Sequence, residues 1–202
     1  MKLGVLISGR GSNLEALLKA HAAGKLPAAD FAIVVANDPQ ARGLDIARAH
    51  GIKTAAIAHR GFPGGRQAHD AAVARTLKEH GVEAVVLAGY MRIIGRAMLE
   101  AFPHRIVNIH PSLLPSFPGL HAQEQALAGG VRVSGCTVHF VDEGVDSGPI
   151  IVQKTVPVLD DDDAESLSAR ILVQEHLAIV EAVDLLSRGV LRIENRRVRR
   201  ME

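Results

Sequence analysis

The chain has a single cysteine, Cys136, in 202 residues. One cysteine excludes an internal disulfide framework and any metal knuckle built on cysteine pairs. An excess of one charge is also missing: 23 Lys and Arg stand against 22 Asp and Glu, for a formal net charge of +1. That balance makes no case for a nucleic-acid partner. Long apolar runs are absent too. The first run, after Lys2, breaks at Ser8-Gly9, too soon for a signal peptide, and none is long enough to span a bilayer. There is no internal repeat and no linker rich enough to split the chain. These absences point to a soluble cytoplasmic protein of one domain, with no membrane partner. The basic end, Arg196-Arg197 with Arg199-Arg200, reads as a solvated tail over residues 191–202.

What is present is an alternation. Leu3–Ile7, Phe31–Ala36, Thr54–Ala58, Glu83–Ala88 and Arg105–Ile109 are short apolar runs that read as buried strands. Amphipathic stretches separate them. Leu14, Leu17, Leu18 and His21 share one helical face, Ala41–His50 ends at Gly51, and Arg66–His80 stops at Gly81. Strand-helix alternation of this kind predicts an α/β fold with a Rossmann-like, mostly parallel sheet wound on both faces. The second half departs from it. Cys136–Val141 and Pro149–Val158 read as two antiparallel strands joined by a turn-rich loop, and a helix of about Ala164 to Ser187 follows. The acidic run Asp160–Asp163 before that helix suits its positive end, so it reads as capping rather than metal binding.

The first strand runs into a glycine turn, Ser8-Gly9-Arg10-Gly11-Ser12-Asn13. A strand, a glycine turn and a helix aim backbone N–H groups at one spot, where an anion is stabilised. Ser12 and Glu15 have capping-box spacing. A dinucleotide fingerprint wants a third glycine where Leu14 stands, and the triphosphate loop wants a Gly-Lys-Ser/Thr that does not follow. A monophosphate site with Ser12 and Asn13 as donors survives, beside the alternative of a plain capped turn.

Asn108 and His110 end the fifth strand two residues apart, and so point to one face. At the carboxyl end of a parallel sheet that face opens on the usual ligand crevice. An amide donor beside an imidazole suits an oxygen that gains negative charge, and the imidazole can move a proton. The alternative is a strand end followed by a proline-stiffened loop. Asp146 lies between Gly144 and Gly148 in the loop of the expected hairpin. A carboxylate there can reach an imidazole, orient it and favour its charged form, or it can simply form a turn. No serine or cysteine sits in a nucleophile elbow and there is no His-Glu-x-x-His, so direct transfer is easier to support than a covalent enzyme intermediate.

The stretches ISGRGSNLEAL, VLAGYMRII, NIHPSLLPSFPG, GCTVHFVDEGVDSGPI and QEH stand in an order and spacing that resembles the phosphoribosylglycinamide formyltransferases, purine-pathway enzymes using 10-formyltetrahydrofolate. The resemblance covers roughly residues 2–190, a formyltransferase domain over 1–190. It implies that Gly11, Ser12 and Asn13 hold the phosphate of glycinamide ribonucleotide, with Leu172, Val173, Gln174 and Glu175 as a second ribonucleotide segment. His110 becomes the proton donor, Asn108 binds the formyl oxygen, and Asp146 raises the histidine pKa and organises water. By the same resemblance Arg66, Met91, Arg92, Ile93, Ile94 and the loop Asp142, Glu143, Gly144, Val145 and Asp146 line the folate pocket, together with Asn108. No metal is implied, and a homodimer is left open.

Two features depart from the family pattern. Gln123 stands where the family has histidine, and the carboxyl-terminal tail matches poorly. Rival readings are another formyltetrahydrofolate enzyme, such as a deformylase, and a nicotinamide-dependent reductase with Asp38 on a ribose. The Gly-Ser-Asn turn speaks against the first and Leu14 against the second.

Overall fold

Leu3, Val5 and Ile7 alternate with Gly4 and Leu6 along the first strand, β1 (Lys2–Ile7), and the two sets enter different cores. The computed structural model describes residues 1–201. Its elements follow in the order β1, α1 (Ser12–Ala22), β2 (Asp30–Ala36), α2 (Gly43–Ala49), β3 (Thr54–Ala56), α3 (Gly65–Glu79), β4 (Ala84–Leu87), α4 (Arg96–Ala101), β5 (Ile106–His110), α5 (Ala122–Ala128), β6 (Val133–Phe140), β7 (Ile150–Pro157), α6 (Ala164–Ser187), β8 (Leu191–Glu194) and β9 (Arg197–Arg200). All strands join one sheet in the order β3-β2-β1-β4-β5-β6-β7-β9-β8. The first five pair in parallel, while β5-β6 and β6-β7 are antiparallel. This is the expected α/β architecture.

Leu14, Leu44, Ala126 and Ile179 put α1, α2, α5 and α6 on the larger core, and Val73, Leu77 and Met98 put α3 and α4 on the smaller one. Helices after β1 and β2 therefore cover one face, and helices before and after β4 cover the other. The order of strand addition reverses between β1 and β4, and the crevice at their carboxyl ends is the usual ligand position. Gly4 lets α3 close on the sheet, because a Cβ there would lie 2.5 Å from the Leu77 side chain.

Several local expectations need correction. The capping box at Ser12 and Glu15 does not form. Gly11 is the N-cap, in left-handed backbone at φ 78, with its carbonyl accepting from Glu15 N–H at 2.9 Å, while the Glu15 carboxylate pairs with Lys19 instead. His21 is exposed, although its ring meets Phe31 edge-on. β6 begins at Val133 rather than Cys136, because Ser134 and Gly135 pair with Val156 and Thr155. The capping role of the acidic run is realised: Asp163 and Ser166 form a reciprocal box and Asp162 grips Arg170. The basic end is not a loose tail. β8 and β9 form a hairpin on the sheet edge, with Leu191, Ile193 and Val198 packed on the larger core and Arg200 bonded to Glu181. No helix among the described residues is long and apolar enough to cross a membrane.

Candidate active site

On β5, Val107 and Ile109 enter the larger core, which turns Asn108 and His110 to the opposite face. Antiparallel pairing places His139 of β6 directly across from Asn108 and Thr137 across from His110. The loop between β6 and β7 brings in Asp146, held at φ 50, a left-handed conformation uncommon for a residue with a side chain. One carboxylate oxygen, Oδ2, accepts from Gly119 N–H at 2.9 Å and lies 3.2 Å from His110 Nδ1. The other, Oδ1, faces Asn108 Nδ2 at 3.4 Å and His139 Nε2 at 3.6 Å. Asp146 thus ties together the three side chains that face the crevice.

The electrostatics follow from that arrangement. Burial alone pushes the Asp146 carboxyl up, but His139, the Gly119 N–H and the charge of His110 outweigh it and hold it below the ordinary 3.8. His110 Nε2 donates to the carbonyl of Phe117 at 2.9 Å, so both ring nitrogens meet oxygens that only accept. His139 is arranged differently: Nδ1 donates to Phe140 O at 2.9 Å, and Nε2 lies between Asn108 Nδ2 at 3.3 Å and Asp146 Oδ1 at 3.6 Å. The Asn108 contacts are long, so its N–H groups are aimed but weakly engaged. The loop after His110 is tied down by Thr137, which donates to Ser112 O at 2.7 Å and accepts from Leu114 N–H at 3.0 Å.

A cavity of about 780 Å³ opens above this cluster. Arg66, Met91, Arg92, Ile93, Ile94, Asn108, Asp142, Gly144, Val145 and Asp146 line it; Glu143 does not. Gln123 and His121 also face it. His139 is the residue that sequence reasoning missed. It lies within a recognised motif, but only the β5-β6 register shows that it belongs with Asn108.

The opening turn is built from backbone. A Cβ on Gly11 would lie 2.7 Å from Gly43 Cα, and Gly43 N–H donates to Gly9 O at 3.1 Å, so the turn sits directly on the start of α2. Asn13 is buried and donates to Glu175 Oε2 at 2.8 Å. Burial raises the Glu175 carboxyl, and the Asn13 hydrogen bond and the charge of Arg10 offset this only in part. Of the four α6 residues, Glu175 alone reaches the turn. Val173 is 59% exposed, and Leu172 and Gln174 are half-buried, as expected when successive helical residues fan around the axis.

Residues 1–183 match the family model described as formyl transferase. The crystal structure of glycinamide ribonucleotide transformylase 1 from Symbiobacterium toebii is 51% identical, with a TM-score of 0.97 over 100% of this chain and 94% of that one. Phosphoribosylglycinamide formyltransferase of Bacillus subtilis (strain 168) is 42% identical over 87% of this chain and 89% of its own length. The trifunctional purine biosynthetic protein adenosine-3 of Drosophila melanogaster is 48% identical over 93% of this chain, which spans only 14% of that longer protein.

Proposed function

The chain belongs to the formyl transferase family, and we propose that it transfers the formyl group of 10-formyltetrahydrofolate to the amine of glycinamide ribonucleotide. The observation that carries this reading is the union of Asn108, His110 and Asp146 on the floor of an apolar-walled cavity. The folate donor packs against Met91 to Ile94, and the ribonucleotide phosphate sits on Gly11, Ser12 and Asn13, with Glu175 accepting from a hydroxyl or amine. The same reading carries a cytoplasmic setting.

The substrate amine attacks the formyl carbon, forming a C–N bond and placing the carbonyl electron pair on oxygen. Asn108 N–H and the His110 imidazolium stabilise that oxyanion, as preorganised donors do where charge develops. The long Asn108 contacts to His139 and Asp146 are ones that a full negative charge can outcompete. Collapse of the intermediate breaks the bond to N10 of the folate, which takes a proton, and the attacking nitrogen loses one. Asp146 holds the imidazole in place and balances its charge, so His110 can shuttle that proton. Delivery from Nε2 requires the Phe117 carbonyl contact to open.

The test is to mix the purified protein with 10-formyltetrahydrofolate, with and without glycinamide ribonucleotide. The expected result is formylated ribonucleotide and tetrahydrofolate only when both are present. Formate release without the ribonucleotide would show a hydrolase instead.

A further inference from the structure

The apolar wall of the cavity turns side chains outward: Met91 is 71% and Ile93 55% exposed. Side chains facing a cavity cannot anchor their own backbone, so the anchors lie elsewhere. Ser8 Oγ accepts from Met91 N–H at 2.7 Å, the Arg66 guanidinium donates to Ile93 O at 3.0 Å, and Asp70 Oδ2 accepts from Gly95 N–H at 3.0 Å. Arg66 and Asp70 are one helical turn apart on α3, so a single helix face grips both sides of the Ile93–Gly95 backbone.

Of these anchors Asp70 is the buried one, 3% exposed, beside a His69 that is 0% exposed. A carboxylate so deep is costly unless its oxygens meet donors. Gly95 N–H serves Oδ2, and His69 Nδ1 lies 3.3 Å from Oδ1. His69 is itself fixed by Nε2, which donates to Ile57 O at 2.9 Å, and by the edge of Phe62. Gly95 carries an independent sign of the same contact. Its φ of −93 suits any residue, yet a Cβ there would lie 2.5 Å from Asp70 Oδ2. The position is glycine because the carboxylate occupies that space.

We propose that Asp70, oriented by His69, is a positioning residue that fixes the Gly95 end of the donor wall and so sets affinity for the folate without touching it. This inference rests on the assignment of that wall to the formyl donor. Losing one charge-assisted hydrogen bond at the wall is expected to raise the donor KM of Asp70→Ala about tenfold. The ribonucleotide KM and the saturated kcat stay within about twofold. Asp70→Asn keeps an acceptor for Gly95 N–H and offers a donor to His69 Nδ1, so it restores most of the donor affinity. Gly95→Ala displaces the carboxylate from the other side and is expected to repeat the donor-only defect, which keeps the test decisive if Asp70→Ala does not fold. Hydrogen exchange over residues 91–95, measured without substrates, is expected to quicken in both damaging variants. An unchanged donor KM in folded Gly95→Ala, or equal rises in both KM values, overturns the proposal. If the wild-type protein transfers no formyl group, the functional reading fails, while the exchange rates still report whether Asp70 holds the wall.

Discussion

The two ends of the site are built by opposite means. Around Asp146, side chains from β5, β6 and two loops converge on one carboxylate, which faces Gly119 N–H, His110, Asn108 and His139. At the opening turn the structural element is backbone: a left-handed Gly11 pressed on Gly43, with Asn13 as the one buried side chain and its Oδ1 lacking a partner. The carboxylates differ in the same sense. Asp146 is held below its ordinary pKa, and Glu175, beside the turn, is pushed above it. On the proposed reading, charge is stabilised where a proton moves and penalised where a substrate is seated. The catalytic end should therefore be sensitive to side-chain chemistry, and the binding end to added volume.

The largest effect belongs to the catalytic end. In the proposed mechanism Asn108→Ala removes a donor to the developing oxyanion, and single-turnover rates should fall on the order of 10²–10³ with little change in either KM. A loss of affinity with turnover intact would erase the distinction between the ends. Next in size is Gly11→Ala. A Cβ 2.7 Å from Gly43 Cα, on a backbone at φ 78, should strain the turn by roughly 1–2 kcal/mol or more. The ribonucleotide KM should rise about tenfold, with a lower melting temperature and a near-constant donor KM. Equal rises for both substrates would show that the turn does not act locally.

The smallest effects are on stability against pH, and they have opposite signs. The Asp146 carboxyl is lower in the folded state than in the unfolded one. Its contribution is therefore present above the unfolded value, about 3.9, and lost as pH falls through the folded value. Asp146→Asn should flatten the acid side of the urea-midpoint profile. The Glu175 carboxyl is higher in the folded state, so ionising it opposes folding as pH rises from about 4.3 through the folded value. Glu175→Gln should hence be more stable than wild type at pH 7 while binding the ribonucleotide less well. Parallel shifts in both variants would contradict the contrast.

Much of the fold is legible because the first half is a simple alternation whose strands are continuous apolar runs and whose helices stop at Gly51 and Gly81, both at positive φ. What escaped has physical causes. Helix α4, of six residues, is too short to show a helical period. The start of β6 is hidden by Ser134 and Gly135, which read as a turn, and the hairpin β8-β9 by arginines that mask three alternating apolar residues. Asn108, His110 and Asp146 are readable as types at a spacing, but His139 is not, because cross-strand register is a tertiary property. Neighbours in one segment need not share a face: Glu143 does not line the cavity, and Val173 faces away along the helix.

In the proposed mechanism His110 and Asp146 act as one unit in formyl transfer. That claim is tested most directly by a two-by-two cycle of single-turnover rates for wild type, His110→Ala, Asp146→Asn and the double variant. Each single change should cost on the order of 10²–10⁴ in rate, and the double variant should lose little more than the worse single one, since residues in one network are not additive. Losses that multiply fully would contradict the claim and return Asp146 to the role of a turn residue.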